Sequence, residues 1–258
     1  RGFCWATEPQ PTIAGAHHNC GGDTGVGTST FSHNISNLQD DATYYFRAYI
    51  KTNFGIVYGE EKSFKTGSLI NGHDWVDLGL PSGLKWATCN VGADSPEDYG
   101  NYYAWGEITT KSTYRTDNSL TYGLSISELQ SQGIIDGDHN LTPSHDAATA
   151  NWGGTWRLPT KAELQELKNN CTWEWTALNG INGYKVTGPN GNNIFLPAAG
   201  ERYGTSLSGD GYVGHYWSST PDDGYDDYAY FLNFYNGCEY VAHGIDRYDG
   251  LTVRPIAE

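Results

Sequence analysis

The stretch Trp156-Arg157-Leu158-Pro159-Thr160-Lys161-Ala162-Glu163-Leu164-Gln165-Glu166-Leu167 is where the organisation of this chain becomes readable. Thr160 followed three residues later by Glu163 is a capping box. The threonine hydroxyl can take a hydrogen bond from the third helical N–H, and the glutamate can reach back to the cap. A helix is therefore predicted after Thr160, with Leu164 and Leu167 on one face because they stand three apart. Upstream, His73-Asp74-Trp75-Val76-Asp77-Leu78-Gly79-Leu80 and Leu84-Lys85-Trp86-Ala87-Thr88-Cys89 read as a hairpin around Pro81-Ser82-Gly83. Downstream, Tyr184-Lys185-Val186-Thr187 and Asn193-Ile194-Phe195-Leu196 flank Gly188-Pro189-Asn190-Gly191, a second hairpin signal. Residues 107–150 are polar and without clear period. Long loops are expected there, with a short helix near Ile126-Ser127-Glu128-Leu129.

Residues 1–67 have a different texture. Thr28-Ser29-Thr30-Phe31-Ser32-His33-Asn34-Ile35 and Tyr44-Tyr45-Phe46-Arg47-Ala48-Tyr49-Ile50 alternate like strands, the second with Tyr44, Phe46, Ala48 and Ile50 on one face. Leu38 followed six residues later by Tyr44 is the spacing of a tyrosine corner. Asn53-Phe54-Gly55 turns into Val57-Tyr58-Gly59 and a closing strand around Ser63-Phe64-Lys65-Thr66, and Gly67-Ser68 marks the boundary. These residues resemble the later two-thirds of a fibronectin type III domain. The resemblance implies a partial all-β sandwich whose open edge could accept a strand from an exchange partner.

Composition narrows the function classes. Among 258 residues, 33 are glycine, 14 % are aromatic and 17 % are charged, which suits a turn-rich β-containing fold and argues against disorder. The formal net charge of −15 repels phosphate backbones, so nucleic acid is excluded as a partner. No apolar run is long enough to span a bilayer as a helix. The chain has no methionine and begins inside what reads as a strand, so a processed or recombinant fragment is expected. Its five cysteines show no CxxC spacing. Either they are unpaired thiols or, in an exported protein, Cys89–Cys171 is the preferred pair.

Several blocks together carry a second, more specific resemblance. Asp146-Ala147-Ala148, Asn151-Trp152-Gly153-Gly154, Trp156-Arg157-Leu158-Pro159-Thr160 with Glu163, Leu196-Pro197-Ala198-Ala199-Gly200, Tyr216-Trp217-Ser218-Ser219 and Val253-Arg254-Pro255 run from about residue 72 to the end. They are similar to surface proteins of gut anaerobes with the C-type lectin fold, in the branch that includes formylglycine-generating enzymes. Many of those are variable proteins of diversity-generating retroelements, in which adenine mutagenesis rewrites a C-terminal ligand-binding face. The resemblance implies an α+β C-type-lectin-like domain over residues 68–258. It also implies a bacterial cell-surface or extracellular protein of the lipoprotein or pilin kind, acting as an adhesin.

The last fifty residues interleave packing blocks with Tyr and Asp, a paratope-like chemistry of rigid aromatic area and adaptable polar groups. The candidate ligand-binding residues are Tyr225, Asp226, Tyr228, Tyr230, Tyr235, Tyr240, His243, Asp246 and Tyr248. Tyr230 alternates with Leu232 and Phe234, so some of this strand is expected to point inward. Mutagenised Asn-type codons can yield Tyr, Asp, His, Gly, Ala, Ile, Val, Phe, Ser and Cys but not Lys, Gln, Glu, Trp or Met. From Asp222 to Asp249 only Glu239 is on the excluded list.

Catalysis is not expected. The enzymatic branch uses a pair of redox-active cysteines near its C-terminal end, where this chain has Cys238 alone, and neither a GxSxG elbow nor an HExxH motif occurs. No cofactor is expected. Asp136-Gly137-Asp138-His139-Asn140 begins like a calcium loop but has Leu141 and Ala147 where Gly and Glu would stand, so a structural turn is preferred over calcium. The ligand is a protein or a glycan. The alternative function is a structural pilus or surface-assembly subunit with a fixed face.

Overall fold

A computed structural model describes residues 1–21, 31–33, 35, 38–39, 42–67 and 69–258, in two compact units, 1–69 and 70–258. In the first unit β1 (Gly2–Ala6), β2 (Ala16–Asn19), β3 (Thr43–Thr52), β4 (Gly55–Tyr58) and β5 (Lys62–Lys65) form one antiparallel sheet of order β2-β1-β3-β4, with β5 also on β3. Among the described residues this is a single sheet, not the two packed sheets of the expected sandwich. Half of the expected strand at Thr28–Ile35 lies outside the described residues, as does Ser68 at the proposed boundary. The Tyr44 hydroxyl accepts from the Gln39 N–H at 3.0 Å, the bond that a tyrosine corner makes. The buried face of β3 departs from the expected alternation. Tyr44 and Tyr49 are buried while Ile50 is 56 % exposed, because Arg47 and Tyr49 cover one face and Tyr44 packs with Phe64 on the other.

The second unit is built from small sheets. β6 (Trp75–Asp77) and β7 (Lys85–Ala87) are the predicted opening hairpin, and β16 (Ile256–Ala257) joins β7, so the two ends of the unit close on one another. β8 (Thr172–Leu178), β9 (Ile181–Thr187) and β10 (Asn193–Pro197) form a meander in which Val186 pairs Ile194 across the predicted turn. β11 (Glu201–Tyr203) and β12 (Ser206–Ser208) are a short hairpin. β13 (Val213–Pro221), β14 (Tyr228–Tyr235) and β15 (Cys238–Asp246) form the sheet that carries the Tyr/Asp-rich segment.

Helices are few and short: α1 (Ile126–Ser131), α2 (Ala147–Trp152) and α3 (Lys161–Asn170). The expected α+β class is thereby corrected to a mostly β chain of several small antiparallel sheets. The capping signals are real but do not head long helices. Ser125–Glu128 and Thr160–Glu163 both close capping boxes, yet α2 stops at Gly153, whose φ of +66° no helix continues, and α3 runs straight into β8 through extended Cys171. Arg157 grips the capping-box carboxylate with two bonds, Nη1 to Glu163 Oε2 at 2.8 Å and Nη2 to Oε1 at 2.6 Å. Asp146 caps α2 through Oδ1 and takes the Leu158 N–H on Oδ2, joining helix to loop.

The central sheet is buried on both faces. Tyr216, Leu232 and Phe234 pack with Leu164, Leu167, Trp86, Tyr184, Leu196 and Ile256, while Trp217, Ala229 and Phe231 pack with Trp105, Trp156, Leu251 and Val253. Adjacent residues thus enter opposite cores, as period two requires. Gly214 is obligatory here, since a Cβ would stand 2.0 Å from the Phe234 ring. Trp217 Nε1 donates to Tyr103 O at 2.8 Å and Trp105 Nε1 to Ser218 O at 2.9 Å, so both indoles are buried with their polar edge satisfied. Trp217→Ala should cost about 3–5 kcal/mol in a urea titration. Arg254→Met, which orphans several buried carbonyls, should cost at least as much, at about 1–3 kcal/mol for each.

Candidate functional site

Register decides which of the predicted side chains meet. At about 3.3 Å per residue, the ends of β14 stand roughly 23 Å apart. Tyr225, Asp226, Tyr228, Asp246 and Tyr248 belong to the end where β14 begins and β15 stops, with Tyr228 paired directly to Asp246. Tyr235 and Tyr240 belong to the far end, beside the turn between the strands. Tyr230 lies between them, half-buried, with Lys161 Nζ 3.5 Å from its ring centroid. His243 is in β15 and its side chain lies outside the described residues.

The near end is an aromatic and acidic cluster. Tyr225 is 58 % exposed, and its ring centroid is 5.6 Å from that of Tyr228. The Tyr248 ring meets Tyr122 edge-on at 5.1 Å and Tyr203 at 6.1 Å. A groove of about 380 Å³ passes Tyr248 and Tyr203 and is walled on its other side by Tyr114, Arg115, Thr116 and Asp117. Burial raises the pKa of the Asp246 carboxyl, the neighbouring Tyr248 hydroxyl works against the rise and Asp227 adds to it. Asp249 is 7 % exposed, and its pKa is pushed up to about 7 by burial, then by the charges of Glu201 and Asp246.

Arg247 holds this end rigid. It is fully buried, with Nε donating to Tyr228 O at 2.8 Å and Nη1 to Thr121 O at 3.2 Å and Leu124 O at 2.8 Å. Its guanidinium stands 5.1 Å from the Trp105 ring centroid. Burial draws its pKa down to about 10 against the charges of Asp226, Asp227 and Asp222. One side chain therefore ties the start of β14 to the loop that carries Tyr122.

At the far end, Tyr235 is 45 % and Tyr240 is 40 % exposed. His215, Asn233 and Tyr240 form a row across the three strands. Asn233 Nδ2 donates to the Tyr240 hydroxyl at 2.8 Å, and His215 Nδ1 lies 2.9 Å from Glu201 Oε2. Tyr184, from β9, pins the turn by donating to Tyr235 O and accepting from Gly237 N.

Tyr122 and Tyr203 were not among the predicted residues. Each precedes a glycine with positive φ, Gly123 at +76° and Gly204 at +57°. A tyrosine beside a turn glycine is the signal that would have found them. The Asp136 loop closes on itself, Oδ1 accepting from Asp138 N and Asn140 N at 2.9 Å each. Among the described residues no group of three or more His, Cys, Asp or Glu is placed to hold a metal. All five cysteines are free, so the Cys89–Cys171 pair is not formed. Burial, and then Glu166, pushes the Cys171 thiol up to about 11.

These features define a β-rich module in which exposed tyrosines stand at the two ends of a hairpin whose middle is core. The chain belongs to the Lcl C-terminal domain family, whose model matches residues 80–257. The match leaves the first unit outside the family. No curated protein and no solved structure matches the chain.

Asp249 has a pH signature. Its folded pKa lies above the value of about 3.9 for an unfolded aspartate, so the native state holds the extra proton between the two values and stability falls as pH rises from about 4 to 7. Asp249→Asn should therefore stabilise the protein at pH 8, by on the order of 2 kcal/mol. The gain should vanish near pH 4 when Tm is followed across the range. A gain of equal size at both pH values would mean that Asp249 is not the titrating group.

Proposed function

We propose that the second unit is a non-catalytic, lectin-like ligand-recognition module working at the bacterial surface or outside the cell. Its contact residues are the exposed side chains at the two ends of β14–β15. The observation that carries this reading is the division of labour within one hairpin. Phe231, Leu232 and Phe234 are buried, whereas Tyr225, Tyr235 and Tyr240 project. Side chains at the ends can then differ between copies at little cost to the core. Membership of the Lcl C-terminal domain family fits surface ligand binding, and the adenine-compatible composition of residues 222–249 fits a diversified variable protein.

The ligand in this reading is a protein or a glycan. A net charge of −15 disfavours polyanions, nucleic acid included. No metal or other cofactor takes part. Burial holds the Cys171 thiol protonated, which disfavours thiolate chemistry at that position.

A second reading, a structural pilus or surface-assembly subunit, has one observation in its favour. β2 is exposed along its whole length and stands at the end of its sheet, an edge able to accept a strand from an exchange partner.

The two readings separate in the gene itself. Across independent isolates, a recognition module should differ at the codons for residues 225, 226, 235, 240 and 248 and keep Trp217, Leu232, Phe234 and Arg254. Identical codons throughout would favour the structural subunit. At the protein level, Tyr240→Ala should weaken ligand binding and leave Tm nearly unchanged. A Tyr240→Ala variant that unfolds would show that this ring is core.

A further inference from the structure

Register sorts one face of the β13–β14–β15 sheet into three rows, since residues two apart on a strand share a face. Trp217, Phe231 and Ala242 form the first, and its two rings are buried in the core. His215, Asn233 and Tyr240 form the second. Val213, Tyr235 and Cys238 form the third, at the open end where Tyr235 and Tyr240 are exposed. The middle row is polar throughout and carries both kinds of hydrogen-bonding group. His215 Nδ1 is engaged by Glu201 Oε2 at 2.9 Å, and its ring stands edge-on to Phe231 with centroids 5.2 Å apart, so Nε2 is left for another partner. Asn233 Nδ2 donates to the Tyr240 hydroxyl at 2.8 Å, which leaves that hydroxyl its own proton to give. Asn233 Oδ1 is buried and has no protein partner, a state that costs stability unless something else meets it. None of the three side chains carries a fixed charge, and the Glu201 beside them is engaged by His215.

We infer that this face is a platform for a neutral saccharide. One sugar ring lies along the His215–Asn233–Tyr240 row, its hydroxyls on these three groups and its C–H face on the Tyr235 ring. Sugar hydroxyls both donate and accept, which is what a row offering an amide acceptor, a phenol donor and an imidazole nitrogen requires. Each cross-strand step is about 5 Å, the scale of one sugar ring. A protein contact centred here would instead need an apolar anchor in a desolvated pocket, and the centre of this face is polar. Asn233 Oδ1 has no exposed surface in the free protein, so a hydroxyl reaches it only as the exposed Tyr240 side chain moves aside. The inference rests on the recognition reading above, assigns it to the far end of the hairpin and gives that site its ligand class.

The test uses the full chain and a panel of neutral mono- to tetrasaccharides built from glucose, galactose, mannose, fucose and N-acetylglucosamine. Sulfated and sialylated counterparts and a library of synthetic peptides run alongside. At least one neutral saccharide should shift the backbone amide signals of residues 213–215, 233–235 and 238–240. Its affinity should hold steady as salt rises from about 50 to about 300 mM, since the contact pairs no charges. Tyr240→Phe keeps the ring and should lower affinity about fivefold, the loss of one hydrogen bond. Tyr235→Ala, at a position 45 % exposed, gives a second variant whose fold is not at risk and should also weaken binding. Failure of every neutral saccharide to bind, binding that moves none of these signals, or wild-type affinity in both variants overturns the inference. So does a preference for the sulfated or sialylated forms that fades with salt. A peptide that binds the wild type and is lost in Tyr240→Ala would keep recognition at this end and sink the saccharide. If no probe of any class depends on Tyr240 or Tyr248, the recognition reading falls as well.

Discussion

Burying a guanidinium that has no carboxylate among its hydrogen-bond partners is unfavourable unless its donors are met, and Arg254 is buried to 2 % exposure. Its donors are met by a cage of oxygens. Nε bonds Asn90 Oδ1, Nη1 bonds Ala87 O and Thr88 O, and Nη2 bonds Phe195 O. The same Asn90 donates to Tyr99 O and to the Tyr216 hydroxyl, which donates in turn to Pro197 O. One cation therefore joins the exit of β7, the end of β10, the middle of β13 and the segment leading into β16. Burial lowers its pKa, while Tyr216 and Cys89 act in the other direction. Small sheets that share few ladder bonds are joined by such a junction together with the cores that cross between them.

The doubly buried sheet is the second constraint and depends on the first. Tyr216 and Trp217 are neighbours in sequence and enter different cores, so β13 cannot slide without disturbing both. The register shifts between Trp217 and Pro221 and between Ala229 and Phe231 break the ladder at its near end, where Ala229 and Ile245 remain in the core. The tyrosines emerge at that point on backbone already fixed by Arg247. Binding through such a surface loses little conformational freedom, which is how rigid aromatic contact residues convert area into affinity.

Much of the framework was legible because its causes are local. The capping box at Thr160, the short helix at Ile126, the turn at Pro81-Ser82-Gly83 and the hairpin around Pro189 are short-range chemistry, and they stand where their residues predict. The α+β class came with the resemblance to the C-type lectin fold, and local signals could not correct it. A cap reports where a helix starts and says nothing of its length, and all three helices end within ten residues. The face of β3 was misread because Arg47 is held by Pro11 O and covers a Tyr ring, packing that alternation alone cannot anticipate.

The sequence by itself determined the kind of surface this protein carries: tyrosines and aspartates in excess over lysine, set between blocks of packing residues, with a net charge of −15. It also determined the local turns and caps, which need only neighbouring residues. Only the tertiary structure decided that the predicted face is two clusters, one at each end of a hairpin, with Tyr230 withdrawn under Lys161 between them. Only it brought Tyr122, from a loop, and Tyr203, from the end of β11, to Tyr248 from far away in the chain. The physical reason is that strand register and long-range packing set which side chains share a face, and neither is encoded in the spacing of residues along a single segment.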